Sequence, residues 1–272
     1  MTNHTAKTQA FRELHVPGKP FILANAWDIG SARVLAKLGA KAIATSSAAH
    51  AFTLGVTDGH VTGEQAVNHA KDLNAAVDLP VSGDFENGFG VDIDNVVSTI
   101  NASLDAGLAG CCIEDTAVPT GESYDFDHAL ERIEAAVQAI RQHENDFVLT
   151  ARADGVMLGN YDTNEAIRRL QAYEAAGADV LYAPMLPSIE DLARVCAAVG
   201  VPVNALCAGK FTQYTVADFA NIGVARISLG SALARVTHKA MLDAANPMFS
   251  NGDLSLLKRG AGGGEVDRLL SR

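Results

Sequence analysis

The chain has 272 residues, 48% of them hydrophobic and 19% charged, which fits one large globular domain and excludes a disordered or collagen-like chain. Acidic residues outnumber basic ones by 32 to 21, and a net charge of -11 repels phosphate backbones, so no nucleic-acid partner is expected. No apolar run approaches the roughly 18 residues of a membrane span, and no secretory signal is visible. We therefore expect a cytoplasmic protein without a membrane partner.

The four cysteines lie in or beside apolar segments. No Cys-x-x-Cys pair and no nearby histidine has the spacing of a zinc site. We therefore predict buried, reduced thiols, as is usual in the cytoplasm. The four residues are Cys111, Cys112, Cys196 and Cys207.

Eight short apolar runs alternate with segments of helical periodicity along the chain. In one such segment Ile93, Val96, Ile100 and Leu104 recur at the spacing of a single helix face. Several helical segments end at a glycine shortly before the next strand, where a left-handed residue commonly stops a helix. This repeated order predicts a (β/α)8 barrel. The predicted strands are 21–27, 41–47, 80–86, 110–116, 147–153, 180–185, 202–207 and 226–230.

An open, doubly wound sheet is the alternative arrangement for such a sequence. It normally carries a glycine-rich dinucleotide-binding turn after the first strand, and residues 27–31 (Trp-Asp-Ile-Gly-Ser) do not form one. We therefore predict a barrel domain over residues 1–245, ending in a helical run near 231–245. A glycine-rich tail over 246–272 is expected to end in a short helix that packs on another subunit.

Acidic residues cluster where the predicted strands end, and in a barrel these ends form the active-site face. Asp84 and Glu86 are two residues apart and are expected on one face of the third strand, with Glu114 on the next strand. Three carboxylates in a desolvated pocket repel one another, and a hard cation such as Mg²⁺ or Mn²⁺ neutralises them. The alternative is that these acids cap helices or pair with Arg152 and lysines.

Other strand ends carry candidate substrate-binding groups. Arg152 can hold an anionic substrate through two parallel hydrogen bonds, or it forms a salt bridge with Asp154 or Glu114. Backbone N–H groups at Ser46 and Ser47 are suited to hold a carboxylate or phosphate. Three further candidates for substrate binding are Trp27, Asp28 and Asn204.

Taken in order, these segments resemble the isocitrate lyase/phosphoenolpyruvate mutase superfamily. Each stretch is modest alone, but jointly they are specific and cover most of the chain, from near residue 21 to beyond residue 204. The matching stretches are LANAWD (23–28), TSS (45–47), LGVTD (54–58), GDFENGFG (83–90), CIED (112–115) and TAR (150–152).

The resemblance implies a Mg²⁺-dependent (β/α)8 enzyme that breaks or forms C–C or P–C bonds next to an enolate. Its substrates would be small anionic 2-oxo or 2-hydroxy acids, or phosphonates. Asp84 would bind the metal directly, and Glu86 and Glu114 directly or through water. Asp58 would also face the site, so Asp58, Glu114 and Arg152 are the implied catalytic residues.

The resemblance also implies how substrate is held and how the chain assembles. Backbone groups of Ser46 and Ser47, with Arg152, would hold the substrate carboxylate and the enolate oxygen. Related proteins form homotetramers, often by exchanging the last barrel helix, so a homo-oligomer, tetramer or dimer, is expected.

Two segments depart from the family's pattern. The family usually has Asp-x-Asp-Thr-Gly where this chain has DFENG (84–88), which keeps the second acid but lengthens it by a methylene. Isocitrate and methylisocitrate lyases carry a Lys-(Lys/Arg)-Cys-Gly-His loop whose cysteine is the catalytic acid, and phosphonate mutases place a Lys and an Asn there. The corresponding loop here, TAVPTGESY (116–124), has none of these residues.

The absence of the family's catalytic acid, a cysteine, from this loop narrows the possible reactions but does not select one. An enolate protonated by water or another group favours a decarboxylation or an undemanding retro-aldol cleavage. We therefore predict a carbon–carbon lyase, for example oxaloacetate decarboxylase-like or methylisocitrate lyase-like. The alternatives are a P–C bond mutase or hydrolase and a non-catalytic barrel that binds a 2-oxo acid. Candidate proton donors are His50, Asp58, Tyr124 and Tyr182.

Overall fold

The computed structural model describes residues 3–143 and 146–271. Eight parallel strands close into a barrel in the order β1 to β8, each paired with its neighbour and β8 with β1. The predicted (β/α)8 barrel is thus confirmed. The strands are β1 Phe21–Asn25, β2 Ile43–Ala44, β3 Val81–Asp84, β4 Gly110–Glu114, β5 Val148–Arg152, β6 Val180–Tyr182, β7 Val203–Leu206 and β8 Arg226–Ser228.

Helices surround the barrel and follow most of the strands. The helical stripe predicted for α5 is confirmed, because Val96, Ile100 and Leu104 are buried. The helices are α1 Asn3–Glu13, α2 Ile29–Lys37, α3 Ser47–Thr53, α4 Gly63–Ala76, α5 Ile93–Asp105, α6 Phe126–Arg141, α7 Gly155–Leu158, α8 Thr163–Ala176, α9 Ile189–Ala198, α10 Val216–Asn221, α11 Ala232–Asn251 and α12 Gly263–Leu270.

The strands are shorter than predicted because their polar carboxyl ends leave the sheet. The second strand was predicted over 41–47, but pairing stops at Ala44 and Ser46 caps helix α3 by accepting a hydrogen bond from Ala49 N. The third strand likewise ends at Asp84 rather than Glu86. The residues released in this way form the loops around the barrel mouth.

Helix α1 closes the opposite end of the barrel. Phe11 is fully buried among the amino ends of the strands, where it packs with Leu23, Val148 and Val180. His15 follows α1 and is also buried. Apolar packing therefore covers this end of the barrel in the described part of the chain, and the two cavities described below open at the opposite, strand-end face.

The carboxyl-terminal region differs from the predicted boundary. The last barrel helix was expected to end near residue 245, but α11 continues to Asn251. The predicted short final helix is present as α12, and it packs against α2 of the same chain. Among the described residues, no helix combines the length and the hydropathy that a membrane crossing requires.

Candidate active site

Two adjoining cavities open at the carboxyl ends of the strands. The outer one has a volume of about 240 Å³ and is lined by Glu86, Glu114 and the 116–121 loop. The inner one, of about 180 Å³, contains Asp84 and extends into the barrel interior. The two cavities share the lining residues Ser47, Asp58, Arg152 and Met157.

Arg152, the last residue of β5, lies at the centre of the acidic cluster. Its Nη1 atom is 3.2 Å from Glu114 Oε2 and 3.8 Å from Asp84 Oδ1. Its Nε and Nη2 atoms donate to the two carboxylate oxygens of Asp154. Burial lowers the pKa of Arg152, but Asp154 and Glu114 outweigh this effect, so its pKa is raised and the guanidinium stays charged. The salt-bridge alternative is thus realised, and one edge of the fork is committed to Asp154.

Asp84 at the end of β3 is fixed by hydrogen bonds to the β2–α3 turn. Its Oδ2 atom accepts from Ser47 N at 2.9 Å, and its backbone N–H donates to Thr45 Oγ1 at 2.7 Å. The carboxylate therefore occupies the Ser47 N–H that was expected to hold substrate. Ser46 is buried and its hydroxyl caps α3. Substrate binding by this pair stays a prediction, and it requires Asp84 to release Ser47.

Glu86 reaches the cluster by a turn rather than by strand alternation. It lies beyond the end of β3 with a φ of 49°, in the left-handed region. Its backbone carbonyl accepts a hydrogen bond from Glu114 N at 2.9 Å, which ties the turn to β4. The expectation that Asp84 and Glu86 share one strand face is therefore wrong, although the two residues line adjoining cavities.

The carboxylates raise one another's pKa values. Burial first, and then the charges of Asp84 and Asp58, raise the pKa of Glu86 to about 8. Burial and the charge of Asp84 likewise raise the pKa of Asp58, which lies in the loop between α3 and α4. Burial also raises the pKa of Glu114, and Arg152 opposes that rise. The cluster thus contains more carboxyl groups than its single guanidinium can neutralise, and its protonated forms are favoured.

The donor set fits a hard divalent cation. The acidic side chains that line the cavities offer carboxylate oxygens, the type of ligand that Mg²⁺ and Mn²⁺ prefer. Across the described ranges, however, no three Asp, Glu, His or Cys side chains stand close enough to form a ligating group. Asp84, Glu86 and Glu114 therefore surround the cavities without forming a closed coordination shell.

A second layer of side chains fixes the residues that hold Arg152. Asp115 is 3% exposed, and its Oδ1 atom accepts from Asp154 N at 2.8 Å. Its Oδ2 atom accepts from Tyr161 Oη at 2.7 Å and Arg169 Nη1 at 2.9 Å. This network joins β4, β5 and α8, and it fixes the backbone that presents Asp154 to Arg152.

The remaining predicted substrate-binding residues lie in different places. Asp28 caps α2 by accepting from Ser31 N at 2.6 Å, and neither Asp28 nor Trp27 lines the two cavities. Asn204 lines the inner cavity, donates to Ser228 Oγ at 2.9 Å and accepts from Arg226 Nε at 2.8 Å. Asn204 is therefore placed in the interior, whereas Trp27 and Asp28 lie beside the mouth.

The four candidate proton donors also separate. Asp58 and Tyr182 line the inner cavity, and burial raises the pKa of the Tyr182 hydroxyl. Tyr124 lies outside both cavities, and its hydroxyl accepts from Asn87 Nδ2 at 2.8 Å. The His50 ring stacks on His69 at a centroid distance of 3.7 Å, in a small side cavity behind Ser46. Asp58 and Tyr182 are thus the donors nearest the cluster.

The loop over 116–124 forms one wall of the outer cavity. It is bridged to itself between Thr116 and Ser123, and Ala117, Val118 and Pro119 line the cavity. A Cβ atom on Gly59 would lie 2.8 Å from Val118 Cγ1, so this loop touches the loop that carries Asp58. The wall is apolar, as its sequence indicates.

Sequence reasoning missed the supporting residues Asp115 and Arg169 and the interior arginine, Arg226. Asp115 was quoted only as part of a motif, and its partners lie 39 to 58 positions away in the sequence. Arg226 was assigned to a strand without a role. A single charged residue within the apolar segment that forms β8 was the available signal.

The fold and the site define a (β/α)8 barrel with a carboxylate-rich mouth built around one arginine. The sequence profile of the family described as phosphoenolpyruvate phosphomutase matches residues 11–249. The chain therefore belongs to that family, within the isocitrate lyase/phosphoenolpyruvate mutase superfamily, which confirms the resemblance.

Individual relatives agree with this assignment. The chain is 32% identical over 236 residues to a 2-methylisocitrate lyase of Halalkalibacterium halodurans, covering 85% of this chain and 78% of the relative. It is 30% identical over 242 residues to an oxaloacetate decarboxylase of Pseudomonas putida, covering 86% and 82%. A solved Burkholderia cenocepacia protein, named as a candidate lyase or mutase, is 39% identical with a TM-score of 0.95, covering 100% and 98%.

Proposed function

We propose that the protein is a Mg²⁺-dependent lyase that cleaves a carbon–carbon bond of a small 2-oxo or 2-hydroxy acid through an enolate. The observation that carries the proposal is that four acids line the two adjoining cavities at the barrel mouth together with Arg152. The names of the 2-methylisocitrate lyase and oxaloacetate decarboxylase relatives support the same reaction class. The four acids are Asp58, Asp84, Glu86 and Glu114.

Asp84, Glu86 and Glu114 would hold the metal, directly or through water. When bound, the divalent ion would supply positive charge beside the 2-oxo group, where negative charge gathers as the bond breaks. Burial, and then the charges of Asp84 and Asp58, raise the pKa of Glu86, so a neighbouring positive charge would favour its ionised form. The excess of carboxyl groups over the single guanidinium of Arg152 is what favours this role.

The chain's own residues would bind the substrate and exclude water. The Nη1 edge of Arg152 faces the cluster, so a substrate carboxylate would bind there by displacing Glu114 from its ion pair with the guanidinium. The apolar wall formed by Val118 and Pro119 would limit water at the reacting carbon. Because the loop lacks the family's catalytic cysteine and its Glu122 is exposed and does not line the outer cavity, a hydroxyl or carboxyl group in the inner cavity would return the proton. Tyr182 Oη and Asp58 are the favoured sources.

The test uses oxaloacetate as the first substrate and measures pyruvate. Purified protein with Mg²⁺ should release pyruvate, and Asp84→Ala should reduce the rate at least a hundredfold. Asp72→Ala, an exposed acid on α4, is the matched control and should be unaffected. Full activity in excess chelator, or in Asp84→Ala, would contradict the metal-dependent lyase.

A second candidate is P–C bond chemistry, which the family's description as phosphoenolpyruvate phosphomutase favours. The loop residues that phosphonate mutases use are absent here, which counts against it. Phosphorus NMR with phosphonopyruvate separates the two reactions, because breaking the P–C bond converts the phosphonate into a phosphate or phosphate ester with a different resonance. An unchanged spectrum would exclude this candidate.

We also propose that the chain assembles into a homo-oligomer through its carboxyl-terminal helix. Helix α11 exposes several large apolar side chains, and the Phe249 side chain is 83% exposed. Such a surface is costly in water and is typical of a subunit contact. The other exposed apolar residues of this helix are Val236, Met241 and Leu242.

A further inference from the structure

Arg226 begins β8 and extends into the barrel interior, where it lines the inner cavity. Its Nε atom donates to Asn204 Oδ1 at 2.8 Å, and its Nη2 atom donates to Thr150 Oγ1 at 3.1 Å. Its Nη1 atom lies 3.2 Å from His15 Nε2. Each nitrogen thus has one partner, and two of the guanidinium's five N–H bonds remain without one in the described part of the chain.

None of these partners carries a negative charge. His15 Nδ1 donates to the Phe11 carbonyl at 2.8 Å, so in the neutral ring Nε2 is the acceptor that faces Arg226. Burial lowers the pKa of Arg226 to about 10, which leaves the guanidinium charged at neutral pH. No Asp or Glu of the described ranges contributes to that pKa or pairs with this arginine. Arg226, only 3% exposed, is therefore a buried cation without a counter-ion.

A buried unpaired charge is costly, and structures usually supply an opposite charge. The cavity beside Arg226 offers room for one, because it has a volume of about 180 Å³. Asp58 and Asp84 line it where it meets the mouth, and hydroxyl and amide groups also line it. These groups would complete the hydrogen bonds of a small oxyanion. They belong to Asn25, Ser82, Asn204 and Ser228.

We propose that Arg226 forms a second anion-binding site inside the barrel, distinct from the acidic mouth, which takes a carboxylate group. The two remaining N–H bonds match the two oxygens of a carboxylate. The carboxylate has two available sources: the far end of a substrate that extends inward from the mouth, or a separate small carboxylic acid. The first source rests on the function proposed above, whereas the second does not.

The spacing along β5 makes the first source feasible. Thr150, which accepts from Arg226, precedes Arg152 by two residues, so their side chains leave the same face about 7 Å apart. Cys112, Arg152 and Arg226 all line this one cavity. A short dicarboxylate held at Arg152 can therefore direct its second carboxylate towards Arg226.

The test uses a substitution that itself supplies a carboxylate to the proposed site. Thr150→Asp places a carboxylate beside Arg226, while Thr150→Asn is a neutral variant of the same size. Succinate and butyrate, which differ in one carboxylate, are titrated by calorimetry without Mg²⁺, and saturation-transfer NMR follows formate. Neither measurement requires turnover, so failure of the lyase assay would not affect them. Circular dichroism checks that each variant folds. If Thr150→Asp does not fold, Arg226→Gln, which removes the charge, is used in its place, and Arg226→Lys, which keeps the charge, is its control.

If the far end of a substrate supplies the carboxylate, wild type and Thr150→Asn bind succinate at least tenfold more tightly than butyrate, and Thr150→Asp loses this preference. If a separate acid supplies the carboxylate, the saturation-transfer signal of formate is weaker with Thr150→Asp than with wild type or Thr150→Asn. In that case none of the three proteins binds succinate more tightly than butyrate. Equal responses of Thr150→Asp and Thr150→Asn to both probes would overturn the proposal.

Discussion

At the scale of single residues, Arg152 decides the electrostatics of the mouth. Its guanidinium is bonded to Asp154 and lies near Glu114 and Asp84, and all of these groups are largely withdrawn from water. Removing one partner of a buried ion pair leaves the other charges uncompensated, which costs more than the pair itself contributes. Arg152 is therefore a stabilising residue as well as a candidate substrate ligand.

Replacing Arg152 with glutamine should lower the free energy of unfolding at neutral pH by about 3 kcal/mol, because Asp154 and Glu114 would lose their cation. Urea unfolding measures the change. The matched control is Arg168→Gln, which removes an exposed guanidinium paired with Glu165 and should change stability little. Equal stability losses in the two variants would show that Arg152 is not needed to neutralise the cluster.

Sequence reasoning identified the residues of the mouth and left open whether Arg152 pairs with Asp154 or Glu114 or holds a substrate. Asp84, Glu86, Glu114 and Arg152 were found because strand ends of a barrel converge on one face, whatever the details of the loops. Whether Arg152 bonds Asp154 or a substrate depends on side-chain torsions and on the Asp115 network. Those depend on contacts between segments distant in the chain, which periodicity does not report.

At the scale of elements, two loops meet over the outer cavity. The loop carrying Asp58 contacts the 116–124 loop at Gly59, whose φ of 79° favours glycine. Gly55 in the same segment has a similar φ of 72°, but a side chain there would meet no heavy atom within 4 Å. Substitutions at these two glycines therefore distinguish the effect of backbone strain from the effect of contact between the loops.

Gly59→Ala and Gly55→Ala should each cost about 1 kcal/mol of stability from the left-handed backbone. Only Gly59→Ala should reduce activity, by about tenfold, because its methyl group would displace Val118 and with it the wall of the cavity. Steady-state kinetics and thermal melting on both variants test this. Equal activities would mean that contact between the loops does not matter for turnover.

His15, which follows helix α1 at the floor of the barrel, is expected to make the stability of the protein depend on pH. Burial first, and then the charge of Arg226, lower the pKa of His15 to about 3. The unfolded chain takes up this proton near pH 6.5 and the folded chain does not, so stability falls as the pH drops from about 6.5 towards 3.

His15→Gln keeps an acceptor for Arg226 but does not titrate. Below about pH 6 the wild type should lose up to about 1.4 kcal/mol per pH unit more than this variant. Chemical unfolding between pH 7 and about pH 4 measures the two slopes. Parallel slopes would show that His15 is protonated in the folded state.

At the scale of the whole molecule, the chain is a closed barrel with one exposed apolar helix. The barrel was predictable because eight strand–helix units recur with their glycine stops. The full length of helix α11 was not predictable, since residues 246–251 lack the apolar spacing of the preceding turns. The use of its exposed face depends on a partner surface, which a single sequence does not reveal.

Phe249→Ser should shift the assembly towards smaller species, because it removes a large apolar side chain from the proposed contact. Sedimentation velocity measures the distribution. Val91→Ser, at another exposed apolar position, is the control and should leave the distribution unchanged. A wild-type chain that sediments as a monomer would contradict the proposed assembly.

The proposed lyase function depends most on whether the acidic mouth takes up a divalent cation. Calorimetric titration with Mn²⁺, in the presence of oxalate as a small dianion, measures this directly. We predict one ion bound per wild-type chain and at least tenfold weaker binding to Asp84→Asn, with Asp72→Asn unchanged. Stoichiometric binding that is indifferent to Asp84→Asn, or no binding by the wild type, would contradict it.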